Sequence, residues 1–294
     1  MDLNPLMRRQ LVLVCAIVLA SLALGGCQPT SDPAVPERVA AASGAEPAAQ
    51  ALVGGVTSEI FSSASKPTDT QVLFIHGGSY VHEASALHAP FFEKVLRNAN
   101  ATITMPVYAL APGHGYRVAY KQVLDVYLEL RAAHPDSPIV LMGGSAGGGF
   151  ALGFAQSLVE QGLPQPDRII LISPWLDLTL TNPEIPAIDA TDVLLDRKAL
   201  VPNGLAWADG DDPQSYRLSP INGSLVGLAP TTVLAGTNDI LYPDAQRLEV
   251  RAKKAGLDFE LVSFSGANHV FAMSSGASGD EARSIVEKLI STLD

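Results

Sequence analysis

Ile139-Val140-Leu141-Met142-Gly143-Gly144-Ser145-Ala146-Gly147-Gly148-Gly149 is the stretch whose reading decides how this chain folds. An apolar run ends in Gly-x-Ser-x-Gly, and a small-residue, helix-forming segment from Phe150 to Val159 follows at once. This is the layout of a serine on a tight strand-to-helix turn, a position that demands a strained backbone. Residues two before and two after the serine must be nearly free of side chain to avoid collision. Such a turn points the hydroxyl out of the sheet edge. It also sets the N-terminus of the next helix, with its free N–H groups and positive dipole end, beneath any developing oxyanion. The pattern alone is weak in a chain with 25 glycines. Its setting between strand and helix gives it weight.

Working outward, strand and helix signals alternate. Val72 to Ile75, Thr102 to Val107, Ile139 to Met142, Ile169 to Ile172, Thr232 to Ala235 and Phe259 to Phe264 read as strands. Phe91 to Asn98, Val118 to Arg131, Ala245 to Ala255 and Asp280 to Leu293 read as helices. In the second of these, Val123, Val126, Tyr127 and Leu130 fall on one face. The alternation predicts an α/β domain over about residues 51–294, with a mostly parallel sheet and helices on both faces. The rhythm breaks between Pro174 and Pro230, which contains both tryptophans and many acids. That stretch is too long for a simple connection. It is expected to be a cap-like insertion, about residues 175–229, that covers the site.

Composition narrows the function classes. Of 294 residues, 47% are hydrophobic and 17% charged, which argues a large core rather than disorder. A net charge of −11 offers no electrostatic footprint for nucleic acid. Arg8 and Arg9 precede an apolar run from Leu11 to Leu24, too short for a comfortable membrane span. Residues 1–26 therefore read as a secretory signal. The run ends Leu24-Gly25-Gly26-Cys27, which resembles the lipobox of bacterial lipoproteins. That resemblance implies cleavage before Cys27, a lipid anchor on its thiol, and an exported, membrane-anchored protein. By resemblance to Gram-negative lipoproteins, Gln28 in the next position implies the outer membrane. Residues 27–50, rich in Ala and Pro, read as the lipidated flexible tether.

A serine hydroxyl is a poor nucleophile near neutral pH. It needs a histidine within hydrogen-bond reach and a carboxylate to fix that ring's tautomer. In this architecture the chain order should be serine, acid, histidine, each after a strand. Of six histidines, only His269 has the right order and position. His82, His88 and His134 read as surface residues, and His114 lies in a Pro/Gly turn. Asp239, in the loop after the strand Thr232 to Ala235, is the expected acid. Asp244 is its rival, but it opens a helix, where an acid suits the dipole without catalytic duty. Ala146 N–H and the glycine-rich loop around His76-Gly77-Gly78 are candidates for an oxyanion hole.

These residues together resemble the hormone-sensitive-lipase-like branch of the α/β-hydrolase family, which includes bacterial carboxylesterases. The resemblance runs from about Gln71 to Met273. It rests on His76-Gly77-Gly78, Tyr108-Ala109-Leu110-Ala111-Pro112-Gly113-His114 and Gly144-Ser145-Ala146-Gly147-Gly148. It continues through Ser173-Pro174-Trp175-Leu176-Asp177-Leu178, Gly236-Thr237-Asn238-Asp239-Ile240-Leu241 and His269-Val270-Phe271. It implies Ser145 as nucleophile, His269 as base, Asp239 as orienting acid, and Gly78, Ser79 and Ala146 N–H groups as the oxyanion hole. The chain departs from the family in having Ser79 for a third glycine, and Gly144 and Gly113 for two acids. The activity implied is hydrolysis of small-molecule carboxylic esters of short to medium acyl length, with no metal or organic cofactor. The same triad would serve an amidase or a carbohydrate O-deacetylase. The fold also serves non-catalytic ligand binding. The acids Asp209, Asp211 and Asp212 of the insertion are expected either to disfavour anionic substrates or to be simply solvated.

Overall fold

The computed structural model describes residues 49–63 and 70–293. The expectations for the signal segment, Cys27 and most of the tether fall outside them. Eight strands form one sheet: β1 (Ala49–Val53), β2 (Val56–Ser62), β3 (Thr70–Ile75), β4 (Ala101–Pro106), β5 (Ile139–Gly144), β6 (Arg168–Ile172), β7 (Thr231–Gly236) and β8 (Phe259–Phe264). Their spatial order is β1-β2-β4-β3-β5-β6-β7-β8. β2 runs antiparallel to both of its neighbours, and every pairing from β4 to β8 is parallel. The helices are α1 (His88–Leu96), α2 (Tyr116–Ala133), α3 (Ala146–Glu160), α4 (Ile185–Asp189), α5 (Arg197–Ala208), α6 (Tyr242–Ala255) and α7 (Ala277–Ser291). No helix among the described residues is long and apolar enough to cross a membrane.

The central strands read as unbroken apolar runs because both of their faces are covered. Alternate residues point to opposite sides. Leu73, Ile75, Leu141, Leu171 and Val233 join a core with Val123 and Tyr127 of α2, Phe150 and Phe154 of α3, and Leu248 of α6. Val72, Phe74, Val140, Met142, Ile170 and Leu234 join a second core with Phe91, Phe92 and Val95 of α1, and Val286 and Ile290 of α7. Each such side chain, fully buried, contributes about 1.5–3 kcal/mol.

The edge hairpin was not foreseen. β1 starts at Ala49, so the sheet takes in two residues expected to belong to the tether. Gly54 and Gly55 both have positive φ (56° and 77°), the conformation that a two-residue turn between right-twisted strands requires.

The long segment between β6 and β7 carries α4, α5 and a 3₁₀ turn at Pro220–Asn222. Trp175 and Trp207 are buried. Tyr116 (2.7 Å) and Arg117 of α2 both donate to Asp211. Tyr216 and Arg217 both donate to Glu160 of α3. These contacts tie the segment to the helices on one face of the sheet.

Candidate active site

β5 delivers Ser145 at φ 56°, ψ −126°, a conformation that side chains avoid. Close backbone approach explains the glycines around it. A Cβ on Gly143 would lie 2.3 Å from the Gly147 carbonyl oxygen, and one on Gly147 would lie 2.0 Å from that of Ile75. The strained residue is held on both sides. Its N–H donates to Ile172 O (2.9 Å), and its carbonyl accepts from Trp175 N (2.9 Å).

The structure brings Ser145, His269 and Asp239 together. His269 Nε2 lies 2.8 Å from Ser145 Oγ, and Nδ1 lies 2.8 Å from Asp239 Oδ2. His269 is 6% exposed and Asp239 fully buried. The other oxygen of Asp239 accepts from Leu241 N at 2.9 Å, so the carboxylate is held at both ends. The two loops carrying these residues are laced together. Thr237 N donates to Phe264 O and Asn238 N to Ala267 O (both 3.0 Å), and Gly266 N donates to Thr237 Oγ1 (2.9 Å). Ser173, after β6, accepts from Val270 N (3.1 Å) and pins the residue next to the histidine. Asp244, the rival acid, is buried elsewhere. It accepts from Asn182 (2.9 Å) and lies 4.0 Å from Arg247. Burial pushes its carboxyl up to about 6, against the lowering effect of the Asn182 hydrogen bond.

The loop after β3 turns through three successive positive-φ residues, Gly78 (112°), Ser79 (53°) and Tyr80 (67°). A Cβ on Gly78 would lie 2.4 Å from His82 O, so this glycine is obligatory. Among the described residues, the N–H groups of Gly78, Ser79 and Ala146 donate to no backbone carbonyl. Tyr80 is sandwiched by the segment between β6 and β7. Its ring stacks on Trp207 (4.6 Å, 8°) and on Trp175 (5.5 Å, 30°). His76 stacks on Tyr108 (4.3 Å), whose hydroxyl donates to the His76 carbonyl (2.8 Å). Burial pushes the His76 imidazole down to about 4, although its hydrogen bond to the Gly77 carbonyl opposes the shift.

A cavity of about 210 Å³ opens at Ser145, between the 77–79 loop and His269. Its apolar wall is Leu87, Leu195, Val270 and Met273. Leu87, Leu195 and Met273 were not singled out from the sequence, because they arrive from three separate segments, whereas Val270 directly follows the histidine. Leu195 comes from the segment between β6 and β7, held by Asp192. That carboxylate accepts from Leu194 N (2.8 Å), Leu195 N (3.0 Å) and, across the cleft, Ile240 N (3.0 Å) beside the acid.

One expectation is corrected. His88 is not a surface residue: it is 4% exposed, lies edge-on to Phe74 and lines the cavity. The helical spacing His88, Phe91, Phe92, Val95 carried that signal. Asp209, Asp211 and Asp212 do not line the cavity. Asp211 holds α2, and Asp209 packs on Gly115.

A strained serine after β5, a buried acid–histidine pair after β7 and β8, and a parallel sheet beneath them define a class. The family model described as "alpha/beta hydrolase fold" matches residues 72–273, and the chain belongs to that family. An acetyl-hydrolase of Streptomyces hygroscopicus is 31% identical over 214 residues, 72% of this chain and 71% of that one. An esterase of Acinetobacter venetianus is 31% identical over 208 residues, 69% and 68% of the two chains. The crystal structure of an esterase from the bacterial hormone-sensitive lipase (HSL) family matches with a TM-score of 0.78. It is 27% identical and covers 83% of this chain and 84% of that one.

Proposed function

We propose that this chain is a serine carboxylic ester hydrolase acting on small esters of short to medium acyl length. The observation that carries the reading is the continuous hydrogen-bonded chain Ser145–His269–Asp239, with both links at 2.8 Å. Ser145 Oγ attacks the ester carbonyl as His269 Nε2 takes its proton. Asp239 holds the ring in the tautomer that leaves Nε2 free, and stabilises the cation that forms. Gly78, Ser79 and Ala146 N–H groups receive the oxyanion. His269 then passes its proton to the leaving alcohol. Water, activated by the same ring, releases the acid from Ser145. The names of the two sequence relatives support the ester bond as the target. The cavity of about 210 Å³ suits a small acyl group.

The test is turnover of p-nitrophenyl acetate, butyrate, octanoate and laurate by the full-length chain beside Ser145→Ala. The variant should lose on the order of 10⁶-fold in kcat, as expected when the nucleophile of such a triad is removed. If folded wild type turns over no ester and fluorophosphonate does not label Ser145, the reading is wrong and non-catalytic binding takes its place.

The same chain is proposed to be exported and anchored by lipid on Cys27, with residues 28 to about 48 as its tether, facing the periplasm from the outer membrane. The support is the basic-then-apolar segment ending in Leu24-Gly25-Gly26-Cys27, followed by Gln28. Cells fed labelled fatty acid should mark wild type and not Cys27→Ala. Equal labelling of both would remove the anchor.

A further inference from the structure

We propose that Met273 forms the end wall of the acyl cavity, paired with Gly144, and thereby limits the length of acyl group that Ser145 accepts. The inference rests on the ester-hydrolase reading above.

Gly144 immediately precedes the nucleophile, and its φ lies outside the left-handed region, so its backbone would admit a side chain. Met273 presses on that space: its Cε lies 3.1 Å from the position a Gly144 Cβ would take, a contact tighter than a side chain there would ordinarily make. The two residues are complementary: the missing side chain at 144 makes room for the thioether at 273. Met273 is 9% exposed and lines the cavity that opens at Ser145.

The wall is held from behind. Met273 N donates to Val270 O (2.9 Å), closing the 3₁₀ turn Phe271–Met273. The Arg283 guanidinium, 3% exposed, donates through Nη1 to Ala272 O (2.7 Å) and Ser274 O (2.8 Å), the carbonyls on either side of Met273. A buried cation thus fixes the backbone from which a flexible side chain projects. The reach of that side chain, and not movement of the turn, sets the depth of the cavity.

The predominantly apolar cavity suits the acyl part of the ester. The acyl group stays bonded to Ser145 until water arrives, whereas the alcohol must leave. Leu87, Leu195, Val270 and Met273 offer an acyl tail apolar contact and no strong hydrogen bonds.

The experiment measures kcat/KM for p-nitrophenyl acetate, butyrate, hexanoate and octanoate, and separately for acetates of alcohols of increasing size. The enzymes are wild type, Met273→Ala, Met273→Phe, Gly144→Ala and the double variant Gly144→Ala/Met273→Ala. Shortening the wall should raise the octanoate-to-acetate ratio about tenfold or more, the scale of one or two methylenes in an apolar pocket. Met273→Phe should lower the butyrate-to-acetate ratio. Gly144→Ala should narrow the profile in wild type and have little effect once Met273 is Ala, because the collision has gone.

An unchanged acyl ratio in Met273→Ala and Met273→Phe, both folded and labelled by fluorophosphonate, would overturn the proposal. So would a shift confined to the alcohol series, which would make the cavity the seat of the leaving group. If Met273→Ala does not fold, Met273→Phe and Gly144→Ala decide. Wild type that neither turns over nor labels would defeat the ester-hydrolase reading itself, a different result from an active enzyme with an insensitive wall.

Discussion

Two strained turns border the cavity at Ser145, and they differ in what holds their non-glycine residues. The turn at Ser145 is fixed by backbone proximity. Glycines at 143 and 147 let β5, α3 and the end of β3 approach within distances that no Cβ could share. The 78–80 loop keeps two non-glycine residues, Ser79 and Tyr80, at positive φ. It is fixed by aromatic packing of Tyr80 against Trp175 and Trp207, which come from the segment after β6. Strain can thus be stabilised locally, by removing side chains, or remotely, by adding large ones.

The largest expected effect breaks the first kind of support. Gly147→Ala puts a methyl 2.0 Å from Ile75 O and 2.4 Å from His76 O, where only backbone can yield. It should destabilise by about 4 kcal/mol or more and reduce esterase activity to the level of Ser145→Ala, as thermal melts and p-nitrophenyl acetate turnover would show. Trp207→Ala breaks the second kind. Loss of a buried tryptophan costs about 3–5 kcal/mol. The displaced loop should lower kcat on the order of 10²-fold, while Ser145 still labels slowly with fluorophosphonate. Trp207→Phe, which keeps a ring against Tyr80, should recover most of the activity. Normal kcat in folded Trp207→Ala would show that the loop holds itself.

Acid separates two buried groups by sign. His76 titrates near 4 in the fold against 6.5 in model compounds, so the unfolded chain binds more protons between those values. Its contribution is complete above pH 6.5 and shrinks as pH falls, by about 2 kcal/mol from pH 7 to pH 5. Asp244 titrates near 6 in the fold against 3.8, so here the folded chain binds more protons. It contributes about 1 kcal/mol more stability at pH 5 than at pH 7. Denaturant melts of Asp244→Asn should therefore lose more stability than wild type over pH 7 to 5, and those of His76→Gln less. Matching slopes in all three would show that neither group titrates in this range. The smallest expected effect is Ser79→Gly, which relieves left-handed strain but frees the unfolded chain. The two should offset to within about 1 kcal/mol, with kcat changed less than about threefold. A large gain in kcat would mean that the serine side chain obstructs the site.

The same contrast explains what could be read from the chain. Ser145, Asp239 and His269 each follow a strand within a few residues, so apolar runs and chain order were enough to find them. The Gly54-Gly55 hairpin was equally local, but the tether's composition masked it. Met273, Leu195 and the Asp192 bridge depend on elements that meet only in three dimensions. His88 lies between these cases, since its helical spacing was visible but its burial depends on Phe74.

Both of the chain's tryptophans touch Tyr80. Indole emission from the unlabelled protein, excited where tyrosine does not absorb, therefore originates beside the 78–80 loop. A spectral shift on adding a slow substrate analogue would report movement of that loop. During unfolding, the shift to longer wavelength would time the moment the loop is released, which amide signals from the sheet could precede or follow.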